Sequence, residues 1–272
     1  MEPRYDLHCH TVYSDGSFTP AEVIALAKEK QLSGLSITDH DSFHAFFDAQ
    51  HLGVPLIPGV ELSAEFEQKS IHVLGYAFNP NDEEFQAFCL QQRVWRRERL
   101  RQICALLTKN GTPLAESEVI TTEDPNYTYG RVHIALALMK KGHIKSVSDG
   151  FKRYIGDRSP SYVSGQKCSV QQAIDAIHKA KGFAVLAHPH LIDSKSLARR
   201  LIALNFDGIE AHYGRFLPQV NDNWVQKANA RGMFVTGGSD FHGLPKPESH
   251  LGSASCSESI FNKLLSHYQQ FI

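Results

Sequence analysis

No run in this 272-residue chain approaches the roughly 18 apolar residues that a membrane-spanning helix needs. The opening Met1-Glu2-Pro3-Arg4-Tyr5-Asp6 lacks an apolar stretch after a basic start, which predicts no signal peptide. An excess of basic residues is also missing: the formal net charge is -1. Without an overall positive field, a general or stable nucleic-acid partner is not expected. A local basic patch for a nucleotide or a short oligonucleotide remains open. Cysteine is sparse, odd in number and scattered, at Cys9, Cys89, Cys104, Cys168 and Cys256, with no CxxC pair. That pattern argues against a disulfide framework and for free thiols in a reducing, cytoplasmic setting. Internal repeats and low-complexity tracts are absent as well.

What is present suits one large α/β domain, or one domain with an insertion. Seven short apolar runs read as strands: Tyr5–Leu7, Gly34–Ile37, Val54–Pro58, Ile71–Tyr76, Phe183–Leu186, Asp207–Ile209 and Met233–Val235. Helical patterns lie between most of them. Thr19-Pro20-Ala21-Glu22 carries an N-cap, a first-turn proline and a capping box. Ser169 with Gln172 opens a second helix, which stops at Gly182. Strands alternating with helices predict a mostly parallel sheet. The alternation breaks from about residue 79 to 165. An amphipathic helix there sets Phe85, Phe88, Val94, Trp95, Ile103, Leu106 and Leu107 against a charged face bearing Arg93, Arg96, Arg97, Arg99 and Arg101. Two more helices are expected at Arg131–Lys141 and Val147–Tyr154. The reading is a barrel made of residues 1–78 and 166–272, with 79–165 as an inserted helical, substrate-binding subdomain.

Fifteen histidines are many for this length. His44, His51, His143, His178, His190, His250 and His267 read as surface scatter. The others cluster with carboxylates near strand ends, where parallel α/β barrels build their sites. In the extended His8-Cys9-His10, residues i and i+2 point the same way, so two imidazoles can grip one ion. Asp15 follows in a turn; Asp39-His40-Asp41, Glu61, His188 and Asp240-x-His242 end apolar runs, and His72 lies inside one. Three ionisable groups at 39–41 cannot all be buried without partners, and a metal supplies one. Nine candidate ligands fall at six of the seven strands: His8, His10, Asp15, His40, Glu61, His72, His188, Asp240 and His242. Mixed imidazole and carboxylate donors suit Mn²⁺, Zn²⁺ or Fe²⁺ better than Ca²⁺. So many ligands imply a di- or trinuclear site, a usual device for hydrolysing phosphate esters.

The strings Asp6-Leu7-His8-Cys9-His10-Thr11, Ser14-Asp15-Gly16, Ile37-Thr38-Asp39-His40-Asp41, Pro58-Gly59-Val60-Glu61-Leu62-Ser63, Ala187-His188-Pro189 and Gly238-Ser239-Asp240-Phe241-His242 resemble the motifs of the PHP (polymerase and histidinol phosphatase) superfamily. The helical insertion and Gly130-Arg131-Val132-His133 are similar to its nucleoside 3′,5′-bisphosphate phosphatase and 5′-3′ exoribonuclease branch. The resemblance implies an α/β fold, a distorted (β/α)7 TIM-like barrel, holding three divalent ions, commonly Mn²⁺, with Zn²⁺, Fe²⁺ or Mg²⁺ as alternatives. By position, one ion takes His8, His10, Glu61 and Asp240. A second shares Glu61 and takes His72 and His188, and a third takes Asp15, His40 and His242. Catalytic roles fall on Asp39, His40, Glu61 and Asp240, with Asp39 orienting ligands or assisting proton transfer.

The resemblance also implies hydrolysis of nucleotide phosphomonoesters or of the 5′ ends of short RNA by a metal-bound hydroxide. Arg131 in a helix's first turn, with His133 beside it, is the candidate clamp for a second phosphate. Glu210 and His212 end a strand and are candidates to border the pocket, packing being the alternative for His212. The alternatives are another small-molecule phosphatase, such as a histidinol-phosphate phosphatase, and a non-catalytic accessory domain.

Overall fold

The computed structural model describes residues 2–272. It is an α/β fold in the order β1 (Tyr5–Cys9), α1 (Pro20–Glu29), β2 (Gly34–Ile37), α2 (His44–Ala49), β3 (Gly59–Phe66), β4 (Lys69–Tyr76), α3 (Glu83–Lys109), α4 (Arg131–Lys140), α5 (Val147–Gly150), β5 (Cys168–Ser169), α6 (Val170–Lys179), β6 (Phe183–Leu186), α7 (Lys195–Leu201), β7 (Gly208–Tyr213), α8 (Pro218–Asn229), β8 (Phe234–Gly238) and α9 (Glu258–Tyr268). Both expected capping boxes form. Glu22 N–H donates to Thr19 Oγ1 while Glu22 Oε2 accepts from Thr19 N, and Ser169 and Gln172 reciprocate in the same way.

The expected single closed barrel is not what the strands make. They form a two-stranded parallel sheet, β1-β2, and a six-stranded mixed sheet, β5-β3-β4-β6-β7-β8. Isolated bridges join the two, Leu35 to Leu56 and His40 to Glu61 on one side and Cys9 to Phe241 on the other. The parallel pattern is broken by β4, which runs antiparallel to both β3 and β6. The cause is local. Glu67 and Gln68 both take left-handed backbone, φ 50° and 62°, and close a two-residue hairpin. Such a turn can only join antiparallel strands.

Two apolar clusters pack the helices against these strands, and a third lies among the helices between β4 and β5. The buried stripe of α3 runs Phe85, Cys89, Gln92, Leu100, Ile103, Cys104, Leu107. Val94, expected on the apolar face, is 53% exposed. A spacing of four and three residues from Phe85 reaches Gln92 and Arg96 and passes Val94 by. Phe85 and Cys89 belong to the sheet's cluster, whereas Leu100, Ile103 and Leu107 belong to the third, so α3 spans the two. The third expected helix is shorter than its pattern: α5 ends at Gly150 and widens into a π-type turn over Phe151–Ile155. No helix among the described residues is long and apolar enough to cross a membrane.

Candidate metal centre

Strand alternation aims the first ligands. On β1, Leu7 and Cys9 enter the core while His8 and the following His10 face the other way, their Nε2 atoms 3.2 Å apart. Glu61 enters from the start of β3, where the His40–Glu61 bridge sets it level with the end of β2. It is the hub. Its Oε2 lies 3.2 Å from His10 Nε2, 3.0 Å from His40 Nδ1 and 3.5 Å from His8 Nε2. Its Oε1 lies 2.7 Å from His72 Nδ1 and 2.9 Å from His188 Nε2. Asp240 Oδ1 faces His8, His10 and His242 at 3.6, 3.4 and 3.4 Å. Asp15 approaches His242 Nε2 at 3.2 Å, His10 at 3.6 Å and His40 at 3.8 Å. The nine expected ligands are therefore brought together. Three subsets place one ligand atom each within 4.8 Å of one another: His10-Asp15-His40-His242, His8-His10-Glu61 and His40-Glu61-His72.

Electrostatics show why a cation suits this cluster. Burial drives the His40 imidazole down to about 4 and lowers His72 and His242 too, which keeps them in the neutral form that binds metals. Burial acts the same way on His8 and His10, but carboxylates overcome it. Glu210, Glu61 and Asp240 hold His8 well above its ordinary value, and Asp240 and Glu61 hold His10 at about 9. Burial would also raise Asp15, Glu61 and Asp240, yet the surrounding imidazoles, with Lys246 for Asp240, keep them well below the usual carboxylate range. Among the described residues, three buried atoms of the cluster, Asp15 Oδ1, His40 Nδ1 and His242 Nε2, lie near one another or near Glu61 without forming a well-directed hydrogen bond. Six imidazoles and three carboxylates converging in this way fit divalent metal ions.

Backbone strain sits at the same place. His188 and Asp240 adopt φ 23° and 52°, as does Asp41 at 53°. Non-glycine residues there cost on the order of 1–3 kcal/mol each, and such positions concentrate at functional sites.

Other expected residues take different places. Asp39 is fully buried, but its oxygens are filled by Thr11 N at 2.8 Å, Thr11 Oγ1 at 2.6 Å and Ser14 Oγ at 2.6 Å. It orders the loop after β1, and Ser14 Oγ in turn touches His10 Nδ1 at 3.2 Å. Glu210 does not border a pocket. It is fully buried, bound to His8 Nδ1 at 2.8 Å and to the His188 amide at 2.7 Å. His212 lies in a separate surface hollow with Asn221, Asp222 and Ser253. A bulge between Glu210 and His212 shifts the alternation, so Tyr213 rather than His212 joins the centre, its hydroxyl donating to Asp240 Oδ2 at 2.6 Å. His133 does not reach outward beside Arg131. Its Nδ1 accepts from Gly130 N at 3.0 Å, closing the start of α4. His190, expected on the surface, stacks on Tyr213 and Phe216.

Beside the cluster opens a cleft of about 210 Å³. Asp15, His40 and His72 line it together with Arg96, Arg99, Arg131, Lys167 and Lys246. Arg131 is bound to Asp157 at 2.6 Å and lies over the Phe151 ring. Burial, then the charges of Arg131 and Arg96, bring Arg99 down to about 10; burial, then Arg99, bring Lys167 down to about 8. Cations that depress one another in a cleft mark a place for an anion. Arg99, Lys167 and Lys246 were missed as site residues. The signals were the polar breaks in the α3 stripe and the Pro245-Lys246-Pro247 string just past His242.

A model of the PHP domain matches residues 6–231. The chain is 33% identical over 267 residues to the 5′-3′ exoribonuclease Rnm of Escherichia coli (strain K12), covering 91% of this chain and 88% of that protein. It is 32% identical over 246 residues to the 3′,5′-nucleoside bisphosphate phosphatase of Chromobacterium violaceum, covering 87% and 86%. Among solved structures, an amidohydrolase from Chromobacterium violaceum with bound sulfate and no metal superposes with a TM-score of 0.87 at 29% identity, covering 97% of this chain and 96% of the other.

Proposed function

The chain belongs to the PHP domain family, and from that premise we propose that it is a metal-dependent phosphoesterase acting on nucleoside 3′,5′-bisphosphates and on the 5′ ends of short RNA. One observation carries the choice of substrate: a single cleft is lined both by the cluster residues Asp15, His40 and His72 and by the cations Arg96, Arg99, Arg131 and Lys167. A substrate with two phosphates engages both sets; a simple monoester engages one. The names of the relatives, a nucleoside bisphosphate phosphatase and an exoribonuclease, support this reading.

His8, His10, Glu61 and Asp240, with His72, His188, Asp15, His40 and His242, would hold the ions, three in the reading carried from the family and Mn²⁺ first among them. Divalent ions, when bound, polarise the phosphoryl group and supply a nucleophile near neutral pH. Glu210 fixes the His8 tautomer by accepting from Nδ1, so that Nε2 faces the cluster. Tyr213 turns Asp240 so that Oδ1 points at the imidazoles. Arg131 and Arg99 supply fork donors for the distal phosphate, and Lys167 adds charge; the phosphate displaces Asp157 from Arg131. Residues 79–165 then act as the substrate-binding insertion. Five buried free cysteines support a reducing, cytoplasmic setting.

The test is phosphate or nucleotide release with Mn²⁺ from nucleoside 3′,5′-bisphosphates, nucleoside monophosphates, histidinol phosphate and 5′-phosphorylated oligoribonucleotides. Bisphosphates and the oligoribonucleotides should be turned over best. Equal or better turnover of histidinol phosphate would overturn the choice of substrate, and release from none would favour an accessory domain.

A further inference from the structure

Lys246 stands apart from Arg96, Arg99, Arg131 and Lys167 because it bonds a residue of the metal cluster itself. Its Nζ donates to Asp240 Oδ2 at 2.9 Å, and its side chain is 30% exposed in the cleft. The same oxygen of Asp240 also accepts from Tyr213 at 2.6 Å. An ammonium has three donors. Among the described residues only Asp240 takes one, which leaves two donors on a side chain that lines the cleft with Asp15, His40 and His72.

The loop that carries Lys246 is stiff. Pro245 and Pro247 flank it, fixing their own φ and restricting the residues before them. Ser17 Oγ accepts from Leu244 N at 2.9 Å, Gly243 O from Lys246 N at 3.1 Å, and Lys246 O from Ser249 N at 3.0 Å. Arg215 holds Glu248 at 3.2 Å. A flexible side chain delivered by so constrained a backbone loses less entropy on binding.

We propose that Lys246 is a further catalytic residue, donating to a non-bridging oxygen of the phosphoryl group that is being transferred; this rests on the phosphoesterase reading above. Hydrolysis breaks the bond from phosphorus to the leaving oxygen, which departs with the bonding pair, and forms one from phosphorus to a water oxygen, whose proton ends on the leaving group or in solvent. Lys246 exchanges no proton and holds one equatorial oxygen as charge builds on it. Its role differs from that of Arg131, because every phosphoester has the reacting phosphate and only some have the distal one.

The experiment compares wild type, Lys246→Met and Lys246→Arg, loaded with Mn²⁺, on p-nitrophenyl phosphate and on adenosine 3′,5′-bisphosphate. Inhibition by inorganic phosphate and bound metal by atomic emission are measured alongside. Lys246→Met should lower kcat/KM on both substrates by a similar factor, on the order of 10–100-fold. It should weaken inhibition by phosphate and leave metal content unchanged, and Lys246→Arg should recover part of the rate. Metal lost in step with activity would reduce Lys246 to a support for Asp240, and a loss confined to the bisphosphate would assign it to the distal clamp; either overturns the proposal. An active wild type matched by Lys246→Met overturns this inference alone. A wild type inactive on every phosphoester overturns the broader reading with it.

Discussion

Single residues divide into those that face the cleft and those that hold them. Arg131 tests the first kind. A charge-assisted hydrogen bond contributes about 1.5–3 kcal/mol, so Arg131→Ala should lower kcat/KM on a nucleoside 3′,5′-bisphosphate by about 10–100-fold. An aryl phosphate, with no second phosphate, should be affected much less. Asp157, which holds Arg131 at 2.6 Å and is 72% exposed, should relieve rather than impair binding when changed to Asn. Equal losses on both substrates would place Arg131 in folding or at the metals. Glu210 tests the second kind. Glu210→Gln keeps the shape but removes the charge that orients His8. Partners of metal-bound histidines are worth about 10–100-fold in metal affinity. Titration with Mn²⁺ should show a loss of that order with little change in thermal stability, and unaltered affinity would leave Glu210 as packing alone.

At the scale of elements, the joint between α3 and the strands is the feature to probe. Arg96 Nε lies 2.5 Å from Asp41 Oδ2, and Arg96 also reaches Ser63 Oγ. Asp41 is fully buried, accepts Ser63 N at 2.8 Å through its other oxygen, and is next in sequence to His40. Removing one partner of a buried pair leaves the other charged and unpaired, at about 3–5 kcal/mol. Arg96→Met should therefore lower the urea midpoint with an unchanged slope, whereas Arg97→Met should barely move it, because Arg97 pairs with the exposed Glu123. Similar effects from both would deny Arg96 its special place. The same joint bears on any deletion of 79–165: that excision removes Phe85 and Cys89 from the sheet's own core, so the first turns of α3 belong with the sheet.

For the molecule as a whole, folding, metals and pH are coupled. Without ions, Asp240 and Glu61 overcome burial and hold His10 at about 9, so it carries an extra proton at neutral pH, and Glu210, Glu61 and Asp240 push His8 in the same direction. A metal binds the neutral imidazole, so binding must expel those protons, and affinity should fall as pH drops below about 9. Calorimetric titration with Mn²⁺ in buffers of different ionisation heat should register net proton release at pH 7. Zero release would contradict the protonated cluster. Metals that bind only the folded chain also stabilise it, by about 2.7 kcal/mol at a hundredfold excess over the dissociation constant. EDTA should accordingly lower the melting temperature and abolish turnover, with Mn²⁺ restoring both.

Local chemistry in the sequence determined the capping boxes at Thr19 and Ser169, the alternation that sends His8 and His10 to one side, and the nine ligand types near strand ends. These were legible because each depends on residues within a few positions of one another. The turn at Glu67 and Gln68 that reversed an expected parallel strand is local as well, but it lacks the glycine or asparagine that announces left-handed backbone. Tertiary structure decided the rest. One extra residue in β7 exchanged His212 for Tyr213, since a shift of one reverses every later side chain. Asp39, Glu210 and His133 have the side chains of catalytic or binding groups. Asp39 and Glu210 became supports because partners distant in sequence, Ser14 and His8 among them, took up their polar atoms once the chain had folded, whereas His133 was taken up locally by the Gly130 amide at the start of its own helix. Lys246 and Arg99 entered the cleft for the converse reason. A charge's role depends on what it faces across space, and the spacing of residues along the chain does not encode that.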